Sequence, residues 1–342
     1  MIRTRTTLIV GAGASAELQL PGGPELLSRV AQGFDFSRFG TDLQTRDSTI
    51  LGGYLGRLGA EMGKTEAAIM QAAERIRAAC KLNASVDSML EQNSDDPLVV
   101  AAGKLAIIHF VCQAEARSIL RLSPRAEGDL PVQGTDNWLF QLAQVLTAGI
   151  PKSNIEKCFN ELTIVSFNYD RSIEHFLPFA LAMAYGITLM EGRDIVATWL
   201  NVIRPYGSAG RLPWQPGDAP AAEWGSEQPQ NIIDLAAHIR TSGEAQRDQT
   251  TMRAIRAAVS GAERLVFLGF GFHPQNLDML MEAGLSSDCE VLATTHGMTP
   301  LVKDMVLRIL RRKTGIDKDG LLTPVDQRAF EMVRDFSLLL ES

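Results

Sequence analysis

Nine residues near the start, Thr7-Leu8-Ile9-Val10-Gly11-Ala12-Gly13-Ala14-Ser15, constrain this chain more than any other stretch. Leu8, Ile9 and Val10 read as a short buried strand. Gly11 and Gly13 then let the backbone turn sharply and approach a ligand where a Cβ would stand in the way. A strand closing in such a turn suits a phosphate group, so Gly11, Ala12, Gly13 and Ser15 are the first binding candidates. The third glycine of the full fingerprint is missing, with Ala16 at that spacing.

Four more β-to-loop junctions follow. Leu162–Phe167 leads into Asn168-Tyr169-Asp170 and a helix through Ile173, Phe176 and Leu177. Val202-Ile203-Arg204 leads into Pro205-Tyr206-Gly207-Ser208. Arg264–Leu268 closes in Gly269-Phe270-Gly271-Phe272 before a helix over Pro274–Ala283. Glu290–Thr295 precedes a helix over Thr299–Arg312. Between the first strand and the second, helical spacing dominates: Glu25–Gln32, Thr65–Lys81, Leu98–Leu122 and Thr135–Ala148, the last with a Thr or Asp cap. The segment Pro213–Pro229 reads as a loop. Strands alternating with helices predict an α/β fold: a Rossmann-like, mostly parallel sheet with helices on both faces and a helical insertion lobe. The Rossmann-like part covers residues 1–23 and 150–342 and the lobe 24–149. Ligands of such folds sit at the carboxyl ends of the strands. The junctions are therefore expected to place Asn168, Tyr206, Gly269 and Thr294 around a single cleft with Gly13 at its floor.

Composition removes several function classes. A net charge of −7 gives no bulk attraction to nucleic acid, and the one dense basic cluster, Arg308, Arg311, Arg312 and Lys313, falls at helical spacing as a solvated face. No apolar run of about 18 residues and no signal-peptide core are seen, so the expectation is a cytoplasmic protein without a membrane span. Cys80, Cys112, Cys158 and Cys289 form no C-x-x-C pair, and the five histidines lack ligand spacing, so no metal site is expected.

In their order the junctions resemble those of the sirtuin superfamily, specifically its bacterial sirtuin-like, NAD-hydrolysing branch of antiphage defence, which lacks the deacylases' zinc ribbon. The resemblance rests on Gly11-Ala12-Gly13-Ala14-Ser15 with Pro21 following, Ser85-Val86-Asp87-Ser88-Met89-Leu90, Phe167-Asn168-Tyr169-Asp170, Tyr206-Gly207-Ser208 and Leu268-Gly269-Phe270-Gly271-Phe272. It implies an NAD-binding domain and a chemistry that breaks the nicotinamide–ribose bond through an oxocarbenium-like ribose. Protein deacylation is disfavoured because no zinc ribbon can form.

By the same match, the sirtuin Gln-Asn-x-Asp loop becomes Phe167, Asn168, Tyr169 and Asp170, with phenylalanine in place of glutamine. Asn168 is then expected to place water near the anomeric carbon, and Asp170 to contact the nicotinamide amide or cap the next helix. Sirtuins carry a histidine base before the glycine of Gly207-Ser208, and this chain has Tyr206 there. With an ordinary pKa of about 10, a tyrosine orients a hydroxyl rather than taking a proton at neutral pH. His175, His273 and His296 are histidines that could enter the site from elsewhere. Asn168, Asp170 and Tyr206 are thus the catalytic candidates. Phe167, Gly207, Ser208, Gly269, Gly271 and Thr294 join the turn residues in holding NAD. The implied function is an NAD hydrolase, assembled as a homo-oligomer and switched on by a separate protein or by assembly. The alternative is an impaired subunit that binds NAD or an ADP-ribose-type ligand without turnover.

Overall fold

Along the central strands, neighbouring side chains enter different cores. Ile9 packs with Val165, Leu265, Phe267, Val291 and Ala293 on one face of the sheet. Leu8 and Val10 pack with Ile164, Val266, Leu268 and Leu292 on the other. Successive strand residues point to opposite faces, so a sheet covered on both sides needs apolar residues at every position, as Leu8-Ile9-Val10 supplies. The computed structural model describes residues 1–36, 45–121, 136–282, 284–316 and 320–341.

Among the described residues the strands β1 (Thr6–Val10), β2 (Leu162–Ser166), β3 (Asn201–Ile203), β4 (Arg264–Leu268), β5 (Glu290–Thr294) and β6 (Leu322–Val325) form one sheet. Its order is β3-β2-β1-β4-β5-β6 and every pair is parallel. This is the Rossmann-like order, with its switch point between β1 and β4. Val10 lies opposite both Ser166 and Leu268, so the loops after β1, β2 and β4 leave the sheet side by side.

The first core lies beneath α2 (Gly23–Gly33), α3 (Arg46–Glu61), α4 (Glu66–Cys80), α5 (Val86–Gln92) and α6 (Pro97–Arg117). The short α1 (Ala12–Ala16) and α7 (Trp138–Thr147) contribute to the second core, as do α8 (Ser172–Tyr185) and α9 (Leu189–Trp199). Of the later helices, α10 (Ile232–Ala237), α11 (Ser242–Arg247), α12 (Gln249–Ser260), α13 (Pro274–Met281) and α14 (Pro300–Thr314) join the first core. Finally, α15 (Ala329–Asp335) and α16 (Ser337–Leu340) join the second.

Helix α6 starts where the Asp96 carboxylate accepts from the Leu98 and Val99 amides at 3.1 and 3.2 Å. It is long and apolar enough to cross a membrane, against the expectation of no such run. Its most apolar window, however, is 83% buried inside the protein, as suits a central core helix that is apolar all round.

Three local expectations shift. The α7 cap is Asn137, whose side chain accepts from the Phe140 amide at 3.0 Å, while Thr135 lies outside the described residues. Helix α6 ends at Arg117 rather than at Leu122, which also lies outside them. Strand β6 was not expected at all. It is four residues long, half-buried and contains Pro324, whose missing N–H is tolerated at a sheet edge.

Candidate functional site

The turn after β1 is shaped by another turn. A Cβ on Gly11 would lie 2.6 Å from the Gly269 oxygen, and one on Gly13 would lie 2.9 Å from both the Gly269 oxygen and Cα. Gly269 itself adopts φ +57°. The Gly11 amide donates to the Leu268 oxygen and the Gly13 amide to the Gly269 oxygen, each at 2.9 Å. The close approach that demands glycine here is therefore backbone against backbone. The Gly11 and Gly13 amides are thus already bonded within the fold.

On the β2 side, the hydrogen bonds settle how Asn168 is turned. Its Nδ2 donates to the Gly11 carbonyl at 2.9 Å and to Ser15 Oγ at 2.7 Å. A carbonyl can only accept, so the amide nitrogen must be the atom facing Gly11. Both amide hydrogens are thus engaged, and Asn168 Oδ1 is the atom left to accept from a bound molecule. The Ser15 hydroxyl in turn donates to Asp170 Oδ2 at 2.6 Å. Asp170 Oδ1 accepts from the Ser172 amide at 3.1 Å and from the Ser172 hydroxyl, which ties the carboxylate to the start of α8. Asp170 thus satisfies the first amide of α8 from the residue before its N-cap, Arg171, and it also anchors Ser15.

Ala12, Ser15, Pro21, Asn168, Tyr169 and Asp170 line one pocket of about 70 Å³, together with Phe167, Val86 and Asp87. Asp87 comes from α5. The Tyr169 hydroxyl donates to it. Burial raises the Tyr169 pKa well above 10, and the Asp87 charge adds to this, so Tyr169 keeps its proton and Asp87 accepts. The Asp87 carboxyl is raised by burial, opposed by the Tyr169 bond and by the charge of His273.

A second cleft of about 430 Å³ lies across α1. Gly13, Glu17, Gly269, Thr294, His296 and Arg328 contribute to its wall, as does Gln327 just after β6. Thr294 Oγ1 accepts from the Gly269 amide at 2.8 Å and donates to the Phe267 oxygen at 3.2 Å. The single expected cleft is thus two. Residues 12 and 15, about one turn apart, lie on one side of α1, and residues 13 and 16, with the C-cap Glu17, face the other. Asn168 belongs to the first space, and Gly269 and Thr294 to the second.

Five expected residues line neither: Gly11, whose amide and carbonyl are both bonded within the fold, and Tyr206, Gly207, Ser208 and Gly271. Tyr206 is 2% exposed, and its hydroxyl donates to Asn276 Oδ1 at 2.5 Å. Its ring packs edge-on against Phe167 at 5.7 Å, and burial raises its pKa further. It can neither take a proton nor reach the pocket. Gly207 adopts φ +80°, with the His238 oxygen 2.4 Å from where its Cβ would be. The Ser208 hydroxyl donates to the Gly210 oxygen at 3.2 Å. Gly271 is exposed beside the His273 side chain.

Of the histidines, His296 lines the second cleft and His175 lines neither space. His175 stacks on Trp224 at 4.1 Å, and its Nε2 donates to the Leu120 oxygen at 3.0 Å. Burial pushes its pKa from 6.5 down to about 3. A histidine that the fold holds neutral contributes stability that is complete above pH 6.5 and is lost as pH falls toward 3. The expected loss is up to about 1.4 kcal/mol per pH unit in that window. Urea titrations of the protein and of His175→Gln should show it as a shallower acid slope in the variant. Equal slopes would contradict it.

Two buried ion pairs stiffen the loop from behind. Arg204 grips both oxygens of Glu174 at 2.7–3.1 Å and donates from Nη1 to the Asn168 carbonyl at 2.8 Å. Arg171 pairs with Glu115 of α6 with side-chain exposures of 1% and 0%. Neither arginine stood out in the sequence, because nothing in a lone arginine tells which carboxylate the fold brings to it. Among the described residues no group of three ligands could hold a metal ion. Compared with known proteins, this sequence matches no protein-family model and no curated protein.

Proposed function

We infer that this protein hydrolyses NAD at the nicotinamide–ribose bond, as its resemblance to the bacterial sirtuin-like branch implies. One observation carries the reading: Asn168 is held by Gly11 and Ser15 with Oδ1 as its remaining acceptor, in a pocket that it shares with Asp170 and Asp87. A fixed carbonyl acceptor suits a water molecule that must be aimed at one carbon. The Asn168–Ser15–Asp170 chain polarises that acceptor, since hydrogen bonds in series strengthen one another. Within this reading the reacting carbon lies beside Asn168 at the small pocket, and the rest of the ligand extends outside it. Switching by assembly or by a partner in antiphage defence belongs to the same reading.

Asn168→Ala should lower nicotinamide release by about 10²–10³-fold while NAD binding persists, a loss confined to the transition state. Free nicotinamide is followed with and without conditions that drive assembly, and affinity is measured by calorimetry. Unchanged turnover in the variant would remove Asn168 from the chemistry. The burial of Tyr206 favours a second reading, a subunit that holds NAD or ADP-ribose without turnover, because no base stands where sirtuins place theirs. Binding without nicotinamide release in the assembled wild type would select it.

A further inference from the structure

The small pocket has a wall that the strand junctions do not supply. Asp87 lines it from α5, while Asn168 and Asp170 come from the loop after β2. One of its oxygens, Oδ1, accepts from Tyr169, which fixes the carboxylate's rotation. The adjoining residues on α5, Val86 and Met89, are buried in the first core and hold the helix turn in place. Asp87 and Asn168 line the same space of about 70 Å³. Asp170 is a poor proton acceptor by comparison, because Ser15 and Ser172 already engage both of its oxygens. Tyr206 is turned away into α13.

Resting on the hydrolase reading above, we propose that Asp87 is the general base of this site and, with Asn168, holds the attacking water. As the water oxygen bonds to the ribose anomeric carbon, one water proton passes to the Asp87 carboxylate. The carbon–nitrogen bond breaks and its electron pair stays on nitrogen, turning the cationic pyridinium into neutral nicotinamide. Asp87 then releases the proton to solvent. Burial favours this role, since a carboxyl shifted upward is a stronger base than a solvated one. Tyr169 and His273, at the start of α13, bear directly on its titration; the other titratable groups around it are Asp170, which shares the pocket, Tyr206 after β3 and Glu91 on α5 itself.

The test compares wild type, Asp87→Asn and Asp87→Glu for nicotinamide release across pH, with ADP-ribose affinity by calorimetry and a thermal melt for each. Asp87→Asn keeps the shape and an acceptor for Tyr169 but cannot take a proton. It should lower kcat by about 10²–10³-fold with KM within about threefold, and the acid limb of the rate profile should disappear. Asp87→Glu should retain that limb with a reduced rate. A merely structural role would not remove the limb while leaving KM and the melt unchanged. A folded Asp87→Asn protein with wild-type kcat and an intact acid limb would overturn the proposal. A wild type that binds ADP-ribose and releases no nicotinamide would instead overturn the hydrolase reading, and this proposal with it.

Discussion

Replacing Arg171 with methionine lowers stability by about 3–5 kcal/mol at neutral pH, because it strands Glu115 in the interior. The arginine donates from Nε to Glu115 Oε1 at 3.0 Å and from Nη2 to the other carboxylate oxygen. Methionine fills similar space without a charge. Glu115 would then keep only the Arg171 and Gly225 amides at 3.2 and 3.4 Å. Burial already raises its pKa above 4.5, and the arginine is what opposes the rise. With that opposition gone, the folded-state pKa climbs further. A carboxyl raised in the folded state is tolerated below its unfolded pKa and costs stability as pH rises through the folded value. The deficit of Arg171→Met should therefore be smallest below pH 4.5 and grow toward neutrality. Urea denaturation at several pH values measures it. A deficit that does not change with pH would mean that the carboxylate is not what suffers.

Gly269→Val should be comparably damaging, at about 2–5 kcal/mol, through strain and overpacking together. At φ +57° a β-branched residue is already disfavoured. Its Cβ would also lie 2.0 Å from the Ala14 amide nitrogen and 2.4 Å from the Gly13 carbonyl carbon. Both are backbone atoms, so no side chain can swing away to make room. The Gly13–Gly269 and Gly269–Thr294 hydrogen bonds would part, and the second cleft would open with them. Gly271→Ala is the contrast. Its Cβ meets only the His273 side chain at 3.1 Å, so a loss under about 1 kcal/mol is expected. Similar melting curves for the two variants would show that loop contact does not explain Gly269.

What the sequence reveals and what it hides follow one physical division. Strand positions repeat with period two and must be apolar when buried on both faces, so Leu8-Ile9-Val10 and Leu265–Leu268 are legible without any structure. The carboxyl ends of parallel strands converge by topology, which brings Asn168, Asp170 and Ser15 together, although the single cleft expected around Asn168, Tyr206, Gly269 and Thr294 does not form. Where a loop side chain turns is set by packing instead. Tyr206 sits at the right junction, yet its ring packs on Phe167 and its hydroxyl finds Asn276, a partner 70 residues away. The glycines of the first turn were legible as positions that exclude a Cβ. Their partner was not, because Gly269 lies more than 250 residues further on. Asp87 stood inside a helical motif with nothing to mark that its carboxylate lines a pocket. Strand β6 escaped because Pro324 interrupts a run of four.

That proline and the brevity of β3 bear on how copies of this chain can associate. The two outer strands of the sheet are β3, with three residues, and β6, with four and a proline. An edge strand recruits another chain through an uninterrupted row of unpaired N–H and C=O groups. Neither edge offers a row of useful length, and Pro324 removes one donor from the longer of the two. Among the described residues, the edges of this sheet are therefore poor templates for intermolecular strand pairing or fibril growth.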